Sequence, residues 1–297
     1  MVNIEGLKEY AQSYPEVLGK LFNQGTVLSL LTPHTGANAG KYRLRLYEAD
    51  GTFSDCCTVP KGKSALKEVE AEVACFLSGN EFCDADLGKA LGDAKLRYTA
   101  GSENAGSLEE LFMEQELKAV AKNIDKIVFQ GDMASEDTNI NKFDGILKQV
   151  SGAKTVAMTS GTAIEKIQAL LAGLDEEADD MGTIGVFVPV ALGRQLKSEL
   201  ISQNLFHYDM GESKGTDSFV MPGFSNVMII PSRGLNKTDK AIVTPLSNLH
   251  WITNLEGDHM NMDWDYEKYH QVYYWRVKFI LGVAVGIVDY VTVGTLA

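Results

Sequence analysis

The chain has 297 residues, of which 45% are hydrophobic and 23% charged, and this length suffices for two folding units or one large one. Its net charge of −13 argues against a protein that binds nucleic acid through clustered lysine and arginine. No apolar run approaches the roughly 20 residues of a membrane span. The first residues lack the basic and apolar regions of a signal peptide, so we expect no export by that route.

The first forty residues predict a short helix followed by an extended segment. Residues 4–22 have the apolar spacing of an amphipathic helix. Residues 32–40 are rich in proline, threonine, glycine and asparagine, which is typical of an extended connector.

The next section predicts a long antiparallel β-hairpin. Arg43 and Arg45 alternate with apolar residues in its first strand, and glutamates at 68, 70 and 72 alternate with apolar residues in its second. Antiparallel pairing would place these opposite charges across from each other. Because an isolated two-stranded hairpin is marginal in water, its apolar face needs a cover. That cover is either the chain's own body or a neighbouring subunit.

The cysteines do not suggest a metal site. Cys56, Cys57, Cys75 and Cys83 lack metal-type spacing, so we expect reduced thiols. The alternative is a disulfide between Cys56 and Cys75 across the hairpin. The segment 81–91, which contains Cys83, is predicted to be a short acidic helix.

Residues 107–130 predict one long helix. Ser107 and Glu110 have the spacing of a capping box, and Gly131 stands where a left-handed C-terminal cap is usual. Apolar residues at helical spacing form a single stripe: Met113, Leu117, Val120, Ile124 and Ile127. A polar surface loop at 133–141 is expected to follow.

Residues 147–255 predict a mixed α/β unit. Thr162 and Glu165 repeat the capping-box spacing before a second helix, and residues 175–180 form an acidic turn. A buried strand is expected at 184–188, with Pro189 opening a helix that ends near residue 203. Further short strands are expected at 226–231, 241–244 and 249–253.

The last section, residues 271–293, predicts strands with one strongly apolar face. Val277 and Phe279 alternate there with Arg276 and Lys278. These strands must pair with earlier ones, and the long helix is the natural cover for their apolar face.

The most enzyme-like cluster contains Glu256, Asp258, His259, Asp263 and Asp265. Asp258, His259, Asp263 and Asp265 are the candidate ligands for a hard cation such as calcium. Their spacing does not match an EF-hand loop, so we favour a solvated acidic loop. No nucleophile elbow, zinc-protease pair or dinucleotide fingerprint occurs, and the five histidines are scattered. We therefore expect no catalytic residue and no cofactor.

Taken in order, the elements resemble the major capsid proteins of tailed bacteriophages, which have the Hong Kong ninety-seven capsid fold. The closest local match is 124–132 followed by 143–147, and 276–285 is also similar to the late strand of that family. The resemblance implies an α+β fold with these parts: an N-terminal arm at 1–40, an extended β-hairpin loop at 41–77, a peripheral lobe at 78–146 and 256–297 with a spine helix at 107–130, and an axial α/β lobe at 147–255.

The resemblance also implies a structural protein and not an enzyme. Its copies would assemble through pentamers and hexamers into an icosahedral virion shell, formed in the host cytoplasm, around double-stranded DNA. Implied partners are a scaffolding protein, a portal, and decoration or tail-connector proteins, with no membrane and no sequence-specific DNA binding. The family often has a helical scaffolding segment before the arm, which is not seen here, so scaffolding would be separate or removed.

Two alternatives stay open from the sequence. One is an encapsulin-type bacterial compartment, which has the same fold and stores a cargo enzyme. The other is a soluble metal-dependent enzyme that uses the acidic cluster at 256–265.

Overall fold

The computed structural model describes residues 27–48, 65–83, 108–203, 218–254, 261–267, 269–270 and 272–296. In these ranges the chain forms two six-stranded sheets and one long helix. None of the described helices combines the length and apolar character needed to cross a membrane.

The first sheet has the strand order β1-β9-β11-β3-β2, and β10 pairs with another part of β11. Its strands are β1 (Thr32–His34), β2 (Gly40–Glu48), β3 (Ala65–Cys83), β9 (Leu249–Ile252), β10 (Asn261–Glu267) and β11 (Val272–Val285). The 19-residue strand β3 pairs with β2 in its first part and with β11 in the rest. Val73, where the two pairings meet, lies opposite both Gly40 and Gly282.

The length of β3 corrects two predictions. The strand does not end near Leu77, and the residues from Glu81 to Cys83 are strand, not the start of an acidic helix. Glu81 is a weak strand former, but these residues pair through their backbones with β11. The rest of the predicted helix, 84–91, lies outside the described residues, as does the predicted helix at 4–22.

The second sheet has the strand order β4-β12-β8-β5-β7-β6. Its strands are β4 (Lys154–Met158), β5 (Ile184–Pro189), β6 (Phe219–Val220), β7 (Val227–Ser232), β8 (Lys240–Pro245) and β12 (Thr292–Leu296). Every residue of β5 is buried, as its short apolar run predicted. The last strand, β12, lies between β4 and β8 in this sheet, whereas the sequence placed it with β11. Conversely β9, predicted with the α/β unit, pairs in the first sheet.

The long helix α1 spans Leu108–Gln130, about 34 Å at 1.5 Å per residue. Its side chains Val120, Ile124 and Ile127 are buried in one core with Phe279 and Leu281 of β11. This confirms the predicted cover for the described half of the apolar stripe. The proposed cap Ser107 and the side chains of Glu110, Met113 and Leu117 lie outside the described residues.

The short helices follow the predicted signals. After α2 (Ile146–Gln149) come α3 (Ala163–Leu171), α4 (Glu176–Asp179) and α5 (Val190–Ser202). Thr162 and Glu165 form the predicted capping box of α3. The Glu199 carboxylate of α5 also accepts hydrogen bonds from the first two amides of α3, at 3.0 and 3.2 Å. The acidic turn is the one-turn helix α4, capped by Asp175.

Gly131 does not adopt the left-handed conformation that its position predicted. Its small size matters for a different reason, because a Cβ on Gly131 would lie 2.5 Å from the carbonyl oxygen of Phe143. A Cβ on Gly145 would lie 2.6 Å from the nitrogen of Gly131, and the Gly145 amide donates to the Gly131 carbonyl at 2.9 Å. The end of α1 is thus in direct backbone contact with the segment 143–147.

The side chain of Gln149 joins this segment to the first sheet. Its amide nitrogen donates to the carbonyl of Val283 at 2.9 Å, and its amide oxygen accepts from the Val285 nitrogen at 3.0 Å. These two hydrogen bonds take the place of strand pairing with β3, which β11 lacks beyond Gly282. The segment 143–147, which resembles the capsid family, therefore lies where α1 and the first sheet are connected.

Residues 27–34 lie on the chain's own core, although the sequence predicted them as part of an arm. Val27, Leu28 and Leu31 are buried, and the Val27 amide donates to the carboxylate of Asp125 on α1 at 3.0 Å. Asp125 is only 4% exposed. Burial raises the pKa of Asp125 to about 6, although the Val27 hydrogen bond and the nearby Arg233 act in the opposite direction.

We predict that Gly145→Ala destabilises the subunit by about 1–3 kcal/mol, because the new methyl group overpacks the joint. Gly145 has φ of −72° and ψ of 175°, which alanine adopts freely, so the cost would be steric. Gly152→Ala is the matched control, since a Cβ there meets nothing within 4 Å. Urea unfolding of the purified protein measures both, and equal midpoints would contradict the prediction.

We predict that Asp125→Asn stabilises the subunit at pH 7.5 by about 1–3 kcal/mol, because asparagine still accepts from Val27 without a buried charge. The pKa of Asp125 in the folded state lies above the ordinary 3.8. The contribution of Asp125 to the free energy of unfolding therefore falls as pH rises from about 4 to 6. The advantage of the variant should therefore shrink towards pH 4.

Urea unfolding at the two pH values measures this effect. The exposed Asp289→Asn is the control and should change nothing. A destabilised Asp125→Asn variant at pH 7.5 would show that the charge of Asp125 is needed in the fold.

Candidate assembly surface on the hairpin arm

The outer face of the β2–β3 hairpin carries a ladder of ion pairs. Arg43 lies opposite Glu70 and Arg45 opposite Glu68, which confirms the predicted charge pairing. Lys41 and Arg43 each lie 3.3 Å from the Glu70 carboxylate, and Arg45 lies 3.1 Å from Glu68. The hydrogen bond and charge of Lys41, with Arg43 beyond it, hold the pKa of Glu70 below its ordinary value.

These ion pairs are solvent-exposed, so each contributes little to the free energy of folding. Their main effect is on register. A one-residue slip would move every charged side chain to the apolar face of the hairpin. The ladder therefore specifies which residues of β2 and β3 lie opposite each other.

The inner face of the hairpin is covered by the chain itself. Leu44 is 4% exposed and is buried together with Ala37, Ile252 and Ala284. Leu46 reaches the end of β11, where a Cβ on Gly286 would lie 3.1 Å from its Cδ1 atom. This answers the question left open by the sequence: in the described part of the hairpin, the chain's own body is the cover.

Tyr47 and Leu66 form an apolar pair that the described chain does not cover. They lie opposite each other at the far end of the ladder, with 70% and 62% of their surface exposed. Both occupy positions of the charged outer face, since they alternate with buried residues such as Leu44. A paired aromatic and aliphatic side chain beside a row of charges is typical of a contact surface. The connecting residues 49–64 lie outside the described ranges.

Cys75 lies exposed on β3, and the alternative disulfide between Cys56 and Cys75 stays a prediction, because Cys56 lies outside the described residues. The neighbour of Cys75 across the strands is Ile280 of β11. Cys56 and Cys57, and the side chain of Cys83, lie outside the description.

The acidic cluster is only partly described. Glu256, Asp258 and His259 lie outside the described residues. Asp263 and Asp265 are in strand β10 and not in the predicted loop, because the backbone of β10 pairs with β11 along its length. Within the described ranges, no group of three or more histidine, cysteine or acidic side chains is placed to hold a metal ion. The alternative of a metal site at Asp258, His259, Asp263 and Asp265 stays untested, because Asp258 and His259 lie outside the described residues.

Two histidines that are far apart in the sequence meet in the first sheet. The Nε2 atom of His34 lies 3.1 Å from the Nδ1 atom of His250. Burial, and secondarily the neighbouring His34, lower the pKa of His250 to about 4, and burial also lowers the pKa of His34. The sequence carried no signal for this pair, since 216 positions separate the two residues.

A cleft of about 120 Å³ lies between α1, β3 and β11. Its walls include Ile124 and Ile127 of the helix and the stacked rings of Phe76 and Phe279. Lys142 is its one titratable lining residue. A mostly apolar cleft with one lysine lacks the paired acid and base groups that general acid–base catalysis requires.

No known protein family matches the sequence, and no curated protein matches it. Solved structures do match. A chain in the capsid structure of the cyanophage P-SCSP1u is 12% identical, with a TM-score of 0.54, over 92% of this chain and 89% of that one. A chain in the satellite phage P4 procapsid, which includes the size determination protein, is 11% identical, with a TM-score of 0.57, over 95% and 90%.

A chain in the crystal structure of a virus-like particle from Pyrococcus furiosus is 13% identical, with a TM-score of 0.55, over 96% of this chain and 99% of that one. At such identities the likeness shows the fold and nothing more. It extends over nearly the whole length of every chain compared. The chain therefore has the α+β capsid fold of the Hong Kong ninety-seven type.

Proposed function

We propose that this chain is the major subunit of a viral shell that assembles through pentamers and hexamers into an icosahedral particle around double-stranded DNA. The observation that carries the proposal is the likeness to shell proteins over more than nine-tenths of the chain. The structure contributes a second argument, since Tyr47 and Leu66 are exposed at the end of the described arm.

In this proposal α1 is the spine between two lobes. The first sheet, with α1, corresponds to the peripheral lobe, and the second sheet with its helices corresponds to the axial lobe. Two strands change place relative to the sequence-based division, because β9 pairs in the first sheet and β12 in the second. The N-terminal arm would be limited to the residues before Val27, since Val27, Leu28 and Leu31 lie in the subunit's core.

The end of the hairpin arm supplies the subunit contact. Tyr47 and Leu66 remain exposed, although Leu44, Ala71 and Val73 in the described part of the arm are buried in the same chain. A neighbouring subunit that covers this pair would make a heterologous contact, and repeated heterologous contacts close into rings. The charged ladder beside the pair would orient the neighbour.

The acidic character of the subunit bears on how the genome enters. A shell with a net charge of −13 per subunit repels nucleic acid, so it cannot condense the genome on its inner surface unaided. A motor at a portal would have to drive the DNA inward. Scaffolding, portal and decoration or tail-connector proteins are the corresponding partners, with assembly in the host cytoplasm.

The encapsulin-type compartment has the same architecture and differs in its contents. The cyanophage capsid and the P4 procapsid among the similar structures favour the viral shell. Mass spectrometry of purified particles distinguishes the two: portal and tail proteins support the viral shell, and a cargo enzyme supports the compartment.

Electron microscopy of the purified protein tests the proposal directly. We expect closed particles tens of nanometres across. Small discrete oligomers under every assembly condition would contradict it, and they would instead fit a metal-dependent enzyme that uses the 256–265 cluster. Calcium binding by equilibrium dialysis would then test that cluster.

We predict that Tyr47→Ser combined with Leu66→Ser raises the protein concentration needed for assembly at least about tenfold, which corresponds to about 1.4 kcal/mol per contact. The subunit itself should unfold at an unchanged urea concentration, because both side chains are exposed. Light scattering during assembly measures the effect.

Leu77→Ser is the matched control, since Leu77 is a 69% exposed leucine on the same strand but away from the arm end. It should assemble as the unmodified protein does. If Leu77→Ser and the double variant slow assembly equally, the arm end has no special role.

A further inference from the structure

The segment Val27–His34, which we call the N-terminal strap, is attached to the subunit at both ends. At its start the Val27 amide donates to Asp125 of α1. At its end β1 pairs with β9 in parallel over only three residues, and His34 contacts His250. A three-residue parallel pairing is weak by itself, so the contact between the two imidazoles matters for holding this end.

The geometry permits one hydrogen bond between two neutral rings. The ring centroids are 5.0 Å apart, and the Nε2 atom of His34 faces the Nδ1 atom of His250 at 3.1 Å. One nitrogen must donate and the other accept. At most one of the two rings can therefore be a positively charged imidazolium without breaking the bond. His250 is 6% exposed, and its Nε2 atom finds no partner among the described residues.

No described residue in strand register or ring contact with the pair carries a negative charge. Tyr42 of β2 is the described titratable group in ring contact with the pair, 6.3 Å from His34. Strand β9 lies between β1 and β11, and the residues opposite His250 are Thr32 of β1 on one side and Ala284 of β11 on the other. Two imidazolium rings at this distance would repel each other in a largely buried site.

The same contact lies at the root of the hairpin arm. The Thr253 amide donates to the carbonyl of His34 at 2.9 Å, and the Ala37 amide donates to the carbonyl of Thr253 at 3.0 Å. Ala37 is buried beneath the arm with Leu44. Separation of the rings would therefore loosen residues 35–39, which connect β1 to the arm.

We propose that the His34–His250 pair is an acid-sensitive latch that holds β1 against β9 while the rings are neutral and releases β1, with the root of the arm, when both are protonated. Release of β1 would also change the orientation of the arm. Only this consequence rests on the proposed shell function. The latch itself is a property of the isolated subunit.

The direction of the pH effect follows from the two histidines. Burial holds the pKa of both rings below the ordinary 6.5, and that of His250 near 4. The open state, with ordinary values, binds more protons between pH 4 and 6.5, so acidification through this window favours opening. Asp125 has the opposite effect on attachment. Its pKa is raised to about 6 in the attached state, so the attached state binds the proton at a higher pH than the open state does. The Val27 end should therefore stay attached while the His34 end opens.

Hydrogen exchange of the full-length unassembled chain, expressed as protection factors between pH 7.5 and 4, tests the latch. Peptides that cover 32–37 and 250–253 should lose at least about tenfold protection by pH 4, equivalent to about 1.4 kcal/mol. The buried strand Ile184–Pro189 should keep its protection and serves as the internal reference.

The matched variant combines His34→Gln with His250→Asn, whose amide groups reach the positions of Nε2 and Nδ1 but do not titrate. Its protection at 32–37 should be independent of pH over the same range. The control His270→Gln removes an exposed histidine that is paired only with Glu267 and should behave as the unmodified chain.

Parallel loss of protection in the unmodified chain and the matched variant would overturn the latch, as would full protection of the unmodified chain at pH 4. If the matched variant does not fold, the ring-proton NMR titration of His250 decides, because an ordinary midpoint near 6.5 would also overturn it. None of these outcomes depends on whether the protein forms shells, which electron microscopy tests separately.

Discussion

The structure depends on one close backbone approach, between Gly131 at the end of α1 and Gly145 fourteen residues later. The two glycines touch without side chains between them, and the Gly145 amide donates to the Gly131 carbonyl. Phe143 and Ile146 on either side are fully buried. The main core contains side chains from both sheets, such as Phe279 from the first and Phe187 from the second. Fixing the end of α1 against this core therefore fixes how the two sheets are oriented.

The hairpin arm combines a covered base with an exposed end, and this division has a physical consequence. Because Leu44 and its neighbours are buried against the chain's own body, the arm does not need a neighbour in order to be stable. At the end of the described part of the arm, Tyr47 and Leu66 stay exposed.

Two buried or partly buried polar side chains, those of Gln149 and Asp125, connect distant parts of the chain through hydrogen bonds. Gln149 completes the hydrogen bonding of β11, and Asp125 holds the first described residue of the chain on the long helix. Asp125 does so at a cost, because its charge is buried at neutral pH. Both residues connect parts of the chain that lie far apart in the sequence, so their roles cannot be seen in local patterns.

Elements whose signals are local could be predicted from the amino-acid sequence. Helical spacing predicted α1, the Thr162–Glu165 pair predicted the start of α3, and alternating charges predicted the register of the hairpin. The order of these elements was enough for the resemblance to a capsid subunit, and the structural likeness supports it.

Only the tertiary structure decided which strands are neighbours and which distant groups meet. Partner choice in a sheet depends on backbone pairing and packing, so the length of β3 and the placement of β9 and β12 did not follow from local propensity. The His34–His250 contact spans 216 positions, and no periodicity extends that far. Gly131 shows the same limit: a glycine after a helix predicted a left-handed cap, but its lack of a side chain serves contact with Gly145.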